Sequence, residues 1–202
     1  MSKINSKQKV LHAALSLFYQ KGFHATSVRD IAKKAGVNIS LISYYFNSKQ
    51  GLFEHAVINY YEDYLSELQT TINANSRVAP IDQLKKLIVS IIQYKHLNQK
   101  FSCFIHRELS VDSTFMREIY LTYIAKENYY IKEIFTEVLK DVRVNQITKE
   151  FMFMQLKGML ASPYTLQKEF QQTLLHPTNN EYFVKNYTET IFSWLEMMTK
   201  SE

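Results

Sequence analysis

The chain has 202 residues, a net charge of +5 and only four Gly and three Pro. A chain of this length can bury a substantial core, either as one domain or as a small domain fused to a larger one. Its single cysteine, Cys103, excludes an intramolecular disulfide and suits a reducing compartment. No signal peptide and no apolar stretch long enough to span a bilayer is recognisable, so we expect a cytoplasmic protein with no membrane partner.

The positive charge is concentrated at the N-terminus. Residues 1–50 contain eight Lys or Arg and one acidic residue, whereas the rest of the chain contains 16 basic and 18 acidic residues. The first quarter therefore carries +7 and the remainder −2, which makes the N-terminal quarter the candidate surface for a polyanion such as double-stranded DNA. A basic surface that is merely solvated is the simpler alternative.

Three short helices are predicted in the first 48 residues. Apolar residues recur at helical spacing along the chain, which predicts an all-α fold, and here they place helices at residues 6–20, 27–35 and 39–46. Ser6 is the predicted N-cap of the first helix, and Gly22 is expected to end it with a positive φ. Two helices joined by a tight glycine turn form a helix-turn-helix, whose second helix enters the major groove. A plain basic three-helix bundle is the alternative.

The start of the second helix and the surface of the third carry the more specific signals. Ser27 and Asp30 have the spacing of a capping box. Val37, in the turn before the third helix, and Ile42 and Phe46 within it should face the core, which leaves small hydroxyls, one aliphatic residue and two tyrosines on the other faces. Because residues 39–46 include no Arg, Asn or Gln, bidentate base recognition is not expected from this helix. Apolar contacts and DNA shape should carry more of the specificity, with Asn38 and Arg29 as exceptions.

The segment from Ala14 to Phe53 resembles the N-terminal domain of the TetR/AcrR family of bacterial transcriptional regulators. The resemblance rests on the joint spacing of Gly22-Phe23, Thr26, Ile31-Ala32, Gly36-Val37, Tyr44-x-Phe46, Lys49 and Leu52-Phe53. It implies a homodimeric all-α DNA-binding regulator with an N-terminal three-helix domain and a larger C-terminal helical domain for ligand and dimer contacts.

Residue by residue, the resemblance implies which side chains meet DNA. The implied set is Thr26, Ser27, Arg29, Asn38, Ile39, Ser40, Leu41, Ser43, Tyr44, Tyr45 and Lys49. Tyr44 and Lys49 match positions that usually touch phosphate. The chain departs from the commonest family pattern at Ser43, where a large residue is frequent, and at Tyr45, where histidine is frequent. These departures affect which bases are read.

Residues 1–48 are thus the predicted DNA-binding domain and residues 49–202 the predicted dimerisation and regulatory domain. Within the larger domain we predict a long helix from residue 48, a loop at 73–80, helices around 84–92, at 101–109 and at 115–140, a turn at 141–145, a helix from 148 that Pro163 interrupts or ends, a loop at 175–180 and a final helix at 182–198.

The last two predicted helices are apolar on more than one face. The resemblance implies that they form an isologous four-helix interface with a second copy of the chain. The predicted interface residues are Phe151, Met154, Gly158, Tyr187, Ile191, Trp194, Leu195 and Met198. Burial within one large domain would give the same pattern, and periodicity alone does not separate the two.

The sequence contains few signals for a metal site, a cofactor or a catalytic site. The six histidines lack a metal-ligand spacing, and phosphate-loop and hydrolase motifs are missing, so neither a metal, a cofactor nor an enzymatic activity is expected. Cys103, three residues before His106, is interpreted as a buried small thiol. The aromatic and Met residues of the larger domain could line a pocket for a small apolar effector, but ordinary core is the more frequent role of such residues.

The leading functional prediction is a homodimeric repressor, acting at the nucleoid on a palindromic operator. The alternative is a DNA-bound regulator whose output is contact with a protein partner. Residues 106–130, together with the Ser43-Phe46 segment, somewhat resemble the RefZ-type branch of the family, whose members act on the cell-division ring. Binding sites away from promoters would favour the alternative.

Overall fold

The computed structural model describes residues 5–108, 113–166, 169 and 180–200, and within these residues all regular structure is helical. The all-α prediction is confirmed. In chain order the helices are α1 (Ser6–Lys21), α2 (Val28–Ala35), α3 (Ser40–Phe46), α4 (Lys49–Ala74), α5 (Pro80–Leu97), α6 (Gln99–Glu108), α7 (Thr114–Ile119), α8 (Ala125–Val138), α9 (Gln146–Thr165) and α10 (Asn180–Thr199), with a π-helical turn at Tyr120–Ile124.

The chain forms two compact units. The first unit comprises Met1–Asp63 and Lys100–Arg117, and the second comprises Tyr64–Gln99 and Glu118–Glu202. The predicted domain boundary after residue 48 coincides with the start of α4, whereas the division by compactness falls within α4 and assigns most of α6 to the first unit. The boundary at 48 stays a prediction about function.

The first unit is built around an aromatic cluster. Phe18 of α1 lies with ring centroids 5.4 Å from Phe23, 6.1 Å from Phe53 of α4 and 5.7 Å from Phe104 of α6. Phe53 also contacts Phe104, at 5.8 Å. Burial of each such ring contributes about 2 kcal/mol through the hydrophobic effect alone. These contacts explain why α6, distant in sequence, packs with the helix-turn-helix.

The second unit is organised around α5. This helix contacts α8, α9 and α10. Its buried apolar residues recur at i, i+3, i+4, i+7 and i+8, so the helix presents a continuous apolar face. The buried apolar residues of α5 are Leu84, Leu87, Ile88, Ile91 and Ile92. The partner helices contribute Ile131, Ile134, Phe135, Leu156, Leu160, Ile191 and Leu195.

Several predicted helix ends are corrected by the structure. Ser6 is the first residue of α1, not its cap, because the Asn5 side chain accepts the hydrogen bond from the Gln8 amide at 3.1 Å. Pro163 lies in the last turn of α9, which continues to Thr165 and ends there. In the predicted 175–180 loop, Asn180 begins α10, and residues 175–179 lie outside the described residues.

The predicted helix at 115–140 is not a uniform α-helix. Between α7 and α8 the chain makes a wide turn, in which the Ala125 amide donates to the Tyr120 carbonyl, an i to i+5 hydrogen bond. Such a turn inserts one extra residue. The side chains of the following helix are therefore shifted by about 100° around the helix axis. Apolar spacing did not reveal it, because no residue of the turn is buried.

Candidate nucleic-acid interface

The start of α2 has the predicted capping box. The Asp30 amide donates to the Ser27 hydroxyl oxygen at 3.1 Å, and the Ser27 amide donates to the Asp30 carboxylate at 3.3 Å. These hydrogen bonds from Ser27 lower the pKa of Asp30 below its ordinary value. Gly36 ends the helix with a φ of 64°, which favours glycine. Arg29 is exposed in the first turn of α2, so two of the predicted DNA residues, Ser27 and Arg29, lie together at this helix end.

Asn38 fixes the first turn of α3. Its side-chain carbonyl oxygen accepts the Ser40 amide at 2.9 Å and the Ser40 hydroxyl at 2.8 Å. Because the Ser40 hydroxyl proton is directed to Asn38, the oxygen of Ser40 is left to accept hydrogen bonds, for example from base amino groups. The sequence placed Asn38 among the DNA contacts; the structure shows that it also positions the helix.

The exposed face of α3 has the composition predicted for it. Ile42 and Phe46 are buried in the first unit, whereas Tyr44 is 77% exposed. The other predicted groove residues on exposed faces are Ile39, Ser40, Ser43 and Tyr45, while Leu41 is half-buried. The rings of Tyr44 and Tyr45 lie edge to face at 5.1 Å. The helix therefore presents hydroxyl groups and apolar surface, suited to phosphates and thymine methyls.

Two predicted DNA residues are engaged inside the first unit. Thr26 is only 1% exposed, and its hydroxyl donates to the Gly22 carbonyl at 2.8 Å. The Lys49 ammonium donates to the carbonyls of Phe23 and Thr26, both at 2.9 Å, and lies 4.3 Å from the Phe23 ring centroid. Both side chains thus hold the connection between α1 and α2, a role that sequence reasoning did not assign to them.

The predicted dimer residues fall into two groups. Phe151 and Met154 of α9 are exposed, as is Gly158, where an added Cβ would meet open space. Exposed Ile147 extends this face of α9 and was missed by the sequence analysis.

On α10, by contrast, Ile191 and Leu195 are buried within their own unit, and their part in a dimer interface stays a prediction. Tyr187, Trp194 and Met198 are half-buried. Tyr187 donates its hydroxyl to the Met159 carbonyl at 2.6 Å, which ties α10 to α9.

The predicted effector pocket stays a prediction. A surface groove of about 240 Å³ lies between α8 and α9. Half of its ten lining residues are charged, and Phe135 and Phe153 are the aromatic residues among them. Phe101, Phe104 and Tyr130 are buried core residues. The interpretation of Cys103 as a buried thiol is confirmed, since it is 8% exposed and burial raises its pKa to about 11.

Two features of the described ranges concern membranes and metals. No helix there is long and apolar enough to cross a membrane. Nor does any group of three or more His, Cys, Asp or Glu side chains in those ranges converge on a site for a metal ion.

A basic helix-turn-helix with an exposed second helix defines a DNA-binding protein. The sequence profile described as "Bacterial regulatory proteins, tetR family" matches residues 10–56. The "Probable HTH-type transcriptional regulator YttP" of Bacillus subtilis (strain 168) is 37% identical over 199 residues, which span 98% of this chain and 96% of that protein. With a relative of this similarity over its whole length, the chain belongs to the TetR family of bacterial regulatory proteins.

Two further comparisons concern part of the chain and the fold. The "Biofilm operon icaADBC HTH-type negative transcriptional regulator IcaR" of Staphylococcus aureus (strain Newman) is 31% identical over 86 residues, 43% of this chain and 45% of that protein. The ketosteroid transcriptional regulator KstR2 of Mycobacterium tuberculosis shares the fold, with a TM-score of 0.77 over 99% of this chain and 98% of its own, at 13% identity.

The chain is thus a DNA-binding transcriptional regulator and not an enzyme. The RefZ-type branch and an output through a protein partner stay predictions.

Proposed function

We propose that this protein is a homodimeric repressor that acts at the nucleoid and places one α3 in each of two successive major grooves of a palindromic operator. The observation that carries the proposal is the surface of α3, where Tyr44 and the serines are exposed while Ile42 and Phe46 anchor the helix in the core. The eight basic residues of the first 50 add a field that attracts DNA irrespective of its sequence.

The exposed face of α9 supports pairing of two copies. Ile147, Phe151 and Met154 are 66%, 57% and 64% exposed, and they follow one another at spacings of four and three residues, with Gly158 four residues further on. Residues so spaced lie on one face of a helix. A large apolar face of this kind marks an interaction surface, and a second copy of the same helix can cover it isologously.

Repression is favoured over activation by one relative, which is described as a negative regulator and matches this chain over 86 residues. Control by a small apolar effector in the second unit would operate as a population shift, in which the effector stabilises a spacing of the two α3 helices that no longer fits the operator. The ratio of the effector's affinities for the two conformations sets what fraction of the protein it can release from the operator.

In vitro selection of duplexes by the full-length protein, at about 150 mM salt, tests the proposal. We expect an inverted repeat whose half-sites are centred about 10 base pairs or a multiple of that apart. Fluorescence anisotropy should then show two protomers per repeat and much weaker binding to a single half-site. Absence of any enriched sequence, or equal affinity for the half-site, would refute it.

A further inference from the structure

The connection between α1 and α2 determines how α2 starts. Thr26 and the N-cap Ser27 are its last residues, so any movement of this connection moves the capping box and the exposed Arg29. Carbonyls at the end of α1 and in the connection have room for a second donor, since each carbonyl oxygen has two lone pairs and at most one of them is used by a nearby backbone amide. Two such donors are cations that come from other helices.

The first cation is Lys49, at the first position of α4. Its ammonium donates to the carbonyls of Phe23 and Thr26 and lies over the Phe23 ring. One flexible side chain therefore holds both ends of a four-residue segment. An ammonium group has three donors, and two of them are used in these contacts. This geometry differs from that of a lysine extended towards a phosphate.

The second cation is Arg107 of α6. Its guanidinium donates to the Phe18 carbonyl at 3.2 Å, and the same carbonyl accepts the Gly22 amide at 2.8 Å. A cation at the C-terminal end of a helix is stabilised by the helix dipole. Arg107 lies 5.4 Å from the Phe104 ring centroid, and Phe104 stacks on Phe18 at 5.7 Å. The side chain is thus held against the end of α1.

From these contacts we propose that Lys49 and Arg107 form a clamp on the α1–α2 connection and act as positioning residues for DNA reading. Lys49 then contributes to affinity by fixing the start of α2 instead of by touching phosphate. Arg107 lies outside residues 10–56, which match the family profile, so the DNA-reading helices depend on a residue supplied by α6. The role in DNA reading rests on the proposed function, but the clamp itself does not.

Hydrogen exchange of the full-length protein without DNA tests the clamp directly. The variants are Lys49→Gln, Arg107→Gln and Arg107→Lys. Lys100→Gln removes a charge from the exposed surface of the same α6 and serves as the matched control. We expect amides of residues 22–35 to exchange about three- to tenfold faster in the first two variants, the effect of losing a partly exposed charge-assisted hydrogen bond. Arg107→Lys should retain most of the protection, because lysine keeps a donor and the charge, and the Lys100→Gln control should match wild type.

The salt dependence of DNA binding distinguishes positioning from phosphate contact. On a duplex selected by the wild-type protein, Lys49→Gln and Arg107→Gln should weaken binding about three- to tenfold without changing the slope of log K against log[salt]. Loss of one phosphate contact from each of two protomers would instead reduce the slope by about 1.8.

Each outcome decides a separate point. A slope reduced in this way by Lys49→Gln would overturn the positioning role of Lys49. If Arg107→Gln has the same hydrogen-exchange rates and the same DNA affinity as the wild-type protein, Arg107 is not part of a clamp. If the wild-type protein selects no duplex, the proposed function fails, while the exchange measurement still decides whether the clamp exists.

Discussion

The buried charge cluster of the second unit offers the strongest stability prediction. Glu127 of α8 is 2% exposed, and one of its oxygens accepts from the ammonium groups of Lys95 at 3.2 Å and Lys157 at 3.1 Å. Lys95 is 5% exposed, whereas the Lys157 side chain is 26% exposed. Replacement of Glu127 by Gln would remove the negative charge that these two ammonium groups share.

The expected loss of stability in Glu127→Gln can be estimated from these two distances. At an effective dielectric constant of about 20, each contact is worth about 5 kcal/mol before the cost of removing the charges from water is subtracted. Breaking a buried pair by removing one partner costs about 3–5 kcal/mol. We expect Glu127→Gln to lower the free energy of unfolding by about 3 kcal/mol at pH 7. This is the lower end of that range, because glutamine keeps an acceptor oxygen.

The stability deficit of Glu127→Gln should also depend on pH, in a direction set by the pKa of Lys95. Burial lowers the pKa of Lys95 below its ordinary value of 10.5, against the opposing attraction of Glu127. Without Glu127 this pKa should fall further, so between the folded pKa and 10.5 the unfolded state of the variant binds more protons than the folded state. Its stability therefore rises with pH in this window, and the deficit relative to wild type should shrink from pH 7 to pH 10.

Glu127 titrates in the opposite region. Burial alone would raise its pKa, but Lys95 and Lys157 lower it below the ordinary value of 4.5. The stability that Glu127 contributes is fully present above pH 4.5 and is lost only as pH falls through the depressed folded pKa.

Urea unfolding at equal protomer concentration, at pH 7 and pH 10, measures both effects. Glu150→Gln is the control, because its pair with Lys132 is exposed and solvent screens it, so it should change stability little. A Glu127→Gln deficit no larger than that of the control, or one that does not change with pH, would refute the reasoning.

Gly51→Ala should destabilise the first unit by about 1–3 kcal/mol in thermal unfolding, because a Cβ there would collide with the Phe46 carbonyl oxygen. Cys103 should react with iodoacetamide at pH 8 about two orders of magnitude more slowly in the folded than in the urea-unfolded protein, because burial raises the pKa of the thiol from 9.0 to about 11. Asn38→Ala should cost about 1 kcal/mol and weaken operator binding, because Ser40 loses its acceptor.

Each of these has an outcome that would contradict it. Gly158→Ala is the control for Gly51→Ala, because an added Cβ at Gly158 meets open space and should not destabilise the protomer. Equal destabilisation by both variants would contradict the steric explanation for Gly51. Equal alkylation rates in folded and unfolded protein would show that Cys103 is accessible. An unchanged free energy of unfolding and unchanged operator affinity in Asn38→Ala would mean that α3 needs no such cap.

Local sequence signals predicted the helix-turn-helix well. The capping box of Ser27 and Asp30 and the glycine at the end of α2 depend on residues three or four positions apart, so spacing alone identifies them. The core face of α3 also follows from helical periodicity, which places Ile42 and Phe46 inside.

Contacts between residues distant in sequence were not predictable in this way. Nothing in the spacing indicates that Lys49 reaches back to Phe23, 26 positions earlier, or that Arg107 reaches Phe18, 89 positions earlier. Periodicity also identified Ile191 and Leu195 as apolar but did not show whether their own unit or a second copy covers them; the structure places them inside their own unit.

Methylation interference on the selected duplex tests the central claim most directly, because it reports which groove α3 occupies. If α3 reads the major groove as a pair, methylation of guanine N7 should block binding in two clusters centred about one helical turn, or 10 base pairs, apart on one face of the DNA. The Tyr44→Ala variant should show the same two clusters with weaker binding. Interference confined to adenine N3 in the minor groove, or a single cluster, would contradict the account.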